Sequence, residues 1–238
     1  MVGGPPGNGK TTTLYATLNA LNSPGKSLAT FEHVVKYEIP GIIQGKPDEK
    51  AEFSFEDGVR AMVNLTPDVM LIGEVQLPSV AKSVIQAAFA KRIVLARMSA
   101  DNSINALQNF IDMGLQPFLV TSAVNMVLVQ RLVRKLCSCK EKYTPPEQLC
   151  QELGIGKGTE FFKARGCSAC RETGYSGQTG IFELLTMKEE LSEMFIGRES
   201  PRRIREVAVN LGLIPLRQDG IVKAQEGITS LEEVFNVV

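Results

Sequence analysis

The apolar positions of this chain change period along its length, and the changes outline its elements. Val69 to Gly73 and Ile93 to Arg97 are short apolar runs rich in β-branched residues, as expected of strands covered on both faces. Ser79 to Ala90 lies between them as a helix. Thr11 to Asn22 and Phe55 to Leu65 read as two more helices, the second ending before Pro67, and Ser27 to Phe31 as a further strand. This alternation predicts an α/β fold, a parallel sheet with helices on both faces. Beyond it, Asn105 to Met113 and Pro117 to Gln130 are expected to be helical, with Ile104, Leu107 and Ile111 on one stripe.

Near residue 131 the pattern changes. Cys137 to Tyr175 shows no sustained period, and only Pro146 to Leu153 and Glu160 to Lys163 have helical character. Helical signals return from Lys188. Ser200 is a cap followed by Pro201 at the first helical position, Ile204, Val207, Ala208 and Leu211 repeat before Gly212, and Ser230 with Glu233 forms a capping box for a last short helix. Three parts are expected: a core over residues 1–135, a cysteine-bearing insertion over 136–186 and a helical subdomain over 187–238. There is no internal repeat and no low-complexity tract.

Composition narrows the function classes. With 238 residues, 44% of them hydrophobic and 22% charged, the chain can build a sizeable core. Its 26 basic and 26 acidic side chains cancel, which argues against nucleic acid as a partner. Val84 to Ala90 is too short, and Phe118 to Val129 too interrupted, to span a bilayer, which takes about 20 apolar residues. The N-terminus has no basic region followed by an apolar one, and five cysteines, an odd number, point to a reducing compartment and to metal rather than disulfides.

The most informative segment is Gly4-Pro5-Pro6-Gly7-Asn8-Gly9-Lys10-Thr11, which fits the phosphate-loop pattern G-x-x-x-x-G-K-[ST] at every position. Its glycines let consecutive backbone N–H groups turn inward around a β-phosphate, Lys10 reaches the β- and γ-oxygens, and the Thr11 hydroxyl is placed to ligate Mg²⁺. The following helix adds its positive end, with Asn8 inside the loop and Thr12 just after it. Only Met1, Val2 and Gly3 precede the loop, where the fold calls for a strand of about five residues, so the sequence reads as the back half of a longer protein.

From these motifs onward the chain resembles, over essentially its whole length, the ATPases that power type II secretion and type IV pilus assembly. Gly4 to Tyr15 is similar to the family's G-P-T-G-S-G-K-T-T-T-L-Y, and Thr30-Phe31-Glu32-His33-Val34-Val35-Lys36-Tyr37 to its acidic box T-I-E-D-P-V-E-Y. Pro67 to Glu74 resembles its Walker B segment. Ile111-Asp112-Met113-Gly114, Gln130 to Cys137, Gly166-Cys167-Ser168-Ala169-Cys170, Gly180-Ile181-Phe182-Glu183 and Leu216-Arg217-Gln218-Asp219-Gly220 follow in the family's order. The resemblance implies an ATP-binding motor ATPase that couples hydrolysis to pilin or pseudopilin assembly. It further implies a cytoplasmic homo-hexamer, peripheral at the inner membrane, working with a membrane platform and cytoplasmic adaptor proteins.

Within the family, the cysteine pairs point to the assembly or secretion type rather than the retraction type. Cys137, Cys139, Cys167 and Cys170 are enough for a closed structural Zn²⁺ site. Cys167-x-x-Cys170 has ordinary knuckle spacing, Cys137-x-Cys139 is one residue shorter than the usual family pair, and Cys150 reads either as a substitute for a member of that pair or as a core residue. Glu74, ending an apolar strand, is the candidate for polarising water, with Glu32 as the acidic-box carboxylate. Other positions depart from the family. His33 stands for its Asp, Val75-Gln76-Leu77 for its I-R-D, and Val94-Leu95-Ala96-Arg97-Met98-Ser99-Ala100-Asp101 for its V-L-S-T-L-H-T-N, which puts Ser99 at the histidine. These losses favour slow turnover, and they keep open a degenerate nucleotide-binding scaffold of the same fold. His33 reads as a surface loop residue, and Arg131, Arg134 and Lys135 as a solvated face.

Overall fold

The computed structural model describes residues 1–238. The chain forms two compact units, Met1–Val129 with Leu184–Leu213 and Gln130–Glu183 with Ile214–Val238. In chain order the elements are β1 (Val2–Gly3), α1 (Lys10–Leu21), β2 (Leu28–Phe31), β3 (Ile42–Gly45), α2 (Phe55–Asn64), β4 (Val69–Ile72), α3 (Pro78–Phe89), β5 (Ile93–Met98), α4 (Ser103–Asp112) and α5 (Pro117–Ala123). They continue with β6 (Met126–Leu136), β7 (Glu141–Tyr143), α6 (Glu147–Leu153), β8 (Phe161–Lys163), β9 (Tyr175–Thr186), α7 (Glu189–Ile196), α8 (Pro201–Asn210), α9 (Leu216–Gln225) and α10 (Leu231–Val237).

The sheet runs in the order β3-β2-β4-β5-β1-β6-β9. Its pairs from β3 through to β6 are parallel. Burial explains why the apolar runs form its middle: every residue of β2 and β4 is buried. Leu14, Tyr15 and Leu18 of α1 close one core with Val2, Leu28, Val69 and Leu71. Sheet register sets the site, because Phe31 pairs with Ile72 and so carries Glu32 and Gly73 out side by side at the carboxyl ends of β2 and β4. A Cβ on Gly73 would lie 2.8 Å from the Glu32 Cα, so only glycine permits this approach.

Three sequence expectations are corrected. The helix expected over Pro117 to Gln130 ends at Ala123, and Met126 begins an eleven-residue strand. Val127, Val129, Arg131 and Val133 are buried there, with Leu128 and Leu132 between them only half-buried, a period of two that buried Gln130 interrupts. Phe161–Lys163 is a strand paired antiparallel with β7, not a helix. On α4 the buried stripe is Ile104, Leu107 and Phe110, with Ile111 only half-buried. Both serine caps are present, since Ser200 Oγ accepts from Arg203 N at 3.3 Å and Ser230 Oγ from Glu233 N at 3.2 Å.

The second unit packs α9 and α10 around β8, with Leu153, Phe161, Ile221, Ala224 and Leu231 as its core. The Glu233 side chain leaves the capping box and accepts from the Arg134 backbone at 2.9 Å and from its guanidinium at 2.6 Å, which holds this carboxyl below its usual range. Arg134 also lies 4.0 Å over the Tyr175 ring; Arg131 is buried, whereas Arg134 and Lys135 are exposed, so two residues of this basic cluster lie on a solvated face and one does not. No helix is long and apolar enough to cross a membrane.

Candidate functional site

The loop between β1 and α1 turns on three glycines with positive φ, Gly4 at 141°, Gly7 at 79° and Gly9 at 74°. Gly9 caps α1 without any side-chain acceptor, and no acidic residue stands in the first turn, so the leading N–H groups and the helix dipole are left for an external anion. Asn8 Nδ2 donates to the carbonyls of Pro5 at 3.4 Å and Pro6 at 3.3 Å, closing the loop on itself. Buried Lys10 places its ammonium on the Gly4 carbonyl and, at 2.6 Å, on that of Pro5. Thr12 is exposed on the first turn of α1.

The two acidic candidates stand at the neighbouring strand ends in different surroundings. Glu32 is 4% exposed and accepts from Tyr15 Oη at 2.8 Å and Thr30 Oγ1 at 3.1 Å. Burial raises its pKa despite those two donors, and burial together with the Glu32 bond pushes the Tyr15 phenol up to about 12. Glu74 follows β4 and is about one quarter exposed. Arg97 of β5 donates from Nη2 to Glu74 Oε2 at 3.2 Å and from Nη1 to Thr11 Oγ1 at 3.3 Å. One guanidinium thus bridges the first helical hydroxyl and the candidate base.

Hydroxyl and carboxylate oxygens are the donors Mg²⁺ takes. Here both are held by Arg97, so the arrangement does not fit the ion unless the guanidinium moves. Arg97 was not among the sequence candidates, although a lone cation inside the run Ile93–Met98 was the available signal. Tyr15 and Thr30, the donors to Glu32, were likewise hidden inside an ordinary helix and an ordinary strand. His33 is exposed and stacks on Phe55 with ring centroids 4.2 Å apart. Ser99 and Gln76 are exposed, as is Leu77.

In the second unit Cys137, Cys139, Cys167 and Cys170 bring their sulfurs within 4.8 Å of one another. The distances are 4.0 Å for Cys137 to Cys167, 4.0 Å for Cys139 to Cys170 and 3.7 Å for Cys167 to Cys170. A tetrahedral Zn²⁺ about 2.3 Å from each sulfur sets them about 3.8 Å apart, so the four donors fit, the shortened Cys137-x-Cys139 pair included. Burial works against a Cys170 thiolate, but N–H donors from Cys167 and Gly174, both at 3.2 Å, outweigh it and bring the pKa to about 6. Cys150 is buried on α6, its thiol directed at the Pro145 carbonyl, and is not part of the cluster.

Comparison with known proteins shows the family and the fold. The family model described as type II/IV secretion system protein matches residues 1–236. Type II secretion system protein E of Pseudomonas aeruginosa is 37% identical over 240 residues, covering 100% of this chain and 48% of the relative. The type IV pilus assembly ATPase PilB of Thermus thermophilus is 35% identical over 99% of this chain and 27% of its own length. The chain therefore spans about half, or less, of the relatives it matches. Among solved structures, the pilus retraction motor PilT with bound ADP shares the fold with a TM-score of 0.74 at 17% identity, over 100% of this chain and 60% of that one. DotB of Legionella pneumophila gives 0.69 at 14% identity, over 99% and 58%. On the match across nearly all of its length, the chain belongs to the type II/IV secretion system protein family.

Proposed function

We propose that this chain is the nucleotide-binding part of a motor ATPase of a bacterial type II secretion or type IV pilus assembly system, one that couples ATP hydrolysis to the assembly of pilins or pseudopilins. The observation that carries the reading is the complete loop from Gly4 to Thr11, opening α1 beside Glu74 and Glu32, in a chain whose relatives are a secretion protein E and PilB. In this reading Gly4, Gly7, Asn8, Gly9, Lys10, Thr11 and Thr12 cradle the phosphates. Glu74 polarises the attacking water, and Glu32, held by Tyr15 and Thr30, is the second acid. Family membership implies a nucleotide with Mg²⁺, and the four cysteines hold a structural Zn²⁺ that keeps the second unit folded. The working form is a homo-hexamer in the cytoplasm at the inner membrane, engaging the membrane platform and cytoplasmic adaptor proteins, and nucleic acid is not a partner.

A degenerate scaffold that binds nucleotide with little hydrolysis is the second reading. The Arg97 bridge favours it, because the guanidinium occupies a Glu74 oxygen that would otherwise accept from the attacking water. Steady-state ATPase assay together with calorimetric nucleotide binding decides between the two. Binding weakened at least about tenfold by Lys10→Ala is expected in either case, that lysine being a charge-assisted donor to phosphate. Turnover that Glu74→Gln abolishes supports the motor. Binding with no turnover above background supports the scaffold. Absence of saturable binding in well-folded protein would overturn both.

A further inference from the structure

Arg97 is out of place by the ordinary logic of a sheet. It sits on β5, flanked on both sides by β4 and β1, in a run that is otherwise apolar. Its backbone carbonyl accepts from Val75 N at 2.9 Å, which ties it in register to the segment bearing Glu74. From that fixed base the guanidinium reaches Thr11 Oγ1 at 3.3 Å and Glu74 Oε2 at 3.2 Å. Its Nε is buried without a hydrogen-bond partner, and buried donors are rarely left so.

We propose that Arg97 is a resident cation in the place of Mg²⁺, so that the loop binds nucleotide without requiring a divalent ion. This rests on the nucleotide-binding reading of the Gly4–Thr11 loop. Thr11 and Glu74 offer a hydroxyl and a carboxylate, the two kinds of oxygen a divalent ion would use between loop and strand, and both are already committed to one positive charge. Glu32 also lies within electrostatic reach of Arg97. The site thus has its acids balanced by a covalently attached cation, and a Mg²⁺ ion entering it would have to displace the guanidinium from both oxygens against like-charge repulsion. A guanidinium is moreover suited to phosphate, since it presents a planar fork of donors and never loses its charge. The nucleotide's phosphate oxygens, bound by the loop N–H groups and Lys10, would find in Arg97 a counter-charge carried by the chain itself.

The test is calorimetric titration of ADP and ATP into the full chain, once in EDTA and once in excess Mg²⁺, for the parent, Arg97→Thr and Arg97→Lys. Dissociation constants for the parent should differ by less than about threefold between the two conditions, whereas Arg97→Thr should bind weakly in EDTA and at least about tenfold more tightly with Mg²⁺. Arg97→Lys keeps the charge, and it should stay closer to the parent in its Mg²⁺ dependence. Melting curves check that each variant is folded. A parent chain whose affinity rises tenfold or more on adding Mg²⁺ would overturn the proposal while leaving nucleotide binding intact, and that outcome does not depend on any variant folding. A folded parent with no saturable heat in either condition, unchanged by Lys10→Ala, would overturn the nucleotide reading and this inference with it.

Discussion

The two candidate sites of this chain are assembled on opposite principles. In the cysteine cluster four like donors converge on one point at nearly the spacing a tetrahedral ion needs, and two backbone N–H groups donate to the Cys170 sulfur. In the loop site the groups are satisfied by one another. Lys10 rests on loop carbonyls, Glu32 on two hydroxyls, and Glu74 and Thr11 on Arg97. The first arrangement is a socket for one ion, its other contacts being short-range ones to backbone groups and Ser138. The second is a closed set of internal contacts that a ligand must rearrange. Difference in kind, rather than in strength, is what this comparison teaches: the cysteines are expected to act as an all-or-none structural element, the loop as a site whose behaviour is graded by each competing contact.

The sharpest way to break the comparison is to remove the metal. Structural zinc supplies on the order of 10 kcal/mol or more to small domains that fold around it. About one Zn²⁺ per chain should therefore copurify, and chelation should loosen the segment from Cys137 to Cys170 before the nucleotide unit melts. Elemental analysis with hydrogen exchange measures both. Protein never exposed to chelator that carries no zinc would remove the socket half of the contrast, and about half an ion per chain would point to weak binding by the shortened Cys137-x-Cys139 pair.

The next effect concerns turnover. The residues His33, Gln76, Leu77 and Ser99 stand where the family has groups with charge or proton chemistry, and one preorganised group is commonly worth about 10²- to 10³-fold in rate. Restoring the family pattern with His33→Asp, Gln76→Arg, Leu77→Asp and Ser99→His, and freeing Glu74 with Arg97→Thr, should raise Mg-ATP turnover by roughly 10²-fold over the parent. Parent turnover of several per second, abolished by Glu74→Gln, would show that the internal contacts do not slow the reaction, since ordinary enzymes work at about 1 to 10³ per second.

The same contrast explains what could be read from the sequence. The four cysteines and the loop stand out by residue type and spacing, because the chemistry proposed for them demands those residues there. The central strands were legible because burial on both faces makes β2 and β4 continuously apolar. β6 was not. Its first residues, Met126 to Val129, are all apolar and follow a helical segment, so the alternation shows only once Arg131 and Val133 are known to face inward. Glu233 was read as half of a local capping box, but its carboxylate is spent on Arg134, 99 residues away in sequence, a pairing no local pattern encodes. Arg97 escaped for a similar reason: a cation in a strand acquires meaning only when Thr11 and Glu74 are seen to meet it, and sequence carries no distance between residues 86 and 23 positions apart.

The smallest effect sharpens the comparison through acid titration, since buried Glu32 of the first unit and buried Glu233 of the second are shifted in opposite directions. Glu32 has its pKa raised above the ordinary 4.5, chiefly by burial, while Glu233 has its lowered, chiefly by the Arg134 hydrogen bond. A raised carboxyl binds protons more readily folded than unfolded, so the charged Glu32 penalises folding above its folded pKa, and that penalty disappears as the pH falls below 4.5. A lowered carboxyl does the reverse: the stability contributed by Glu233 is present above 4.5 and is lost as the pH falls through its folded pKa. Thermal melts of Glu32→Gln and Glu233→Gln across the acid range read this out. Relative to the parent, Glu233→Gln should be most destabilised at neutral pH and converge on the parent in acid. The stability of Glu32→Gln relative to the parent should instead be most favourable at neutral pH and fall as the pH drops, whatever constant offset the lost charge-assisted bonds from Tyr15 and Thr30 impose. Parallel pH profiles for the two variants would show that these carboxyls share one environment, and the distinction between a site of competing internal contacts and a unit of committed ones would fail at its most local level.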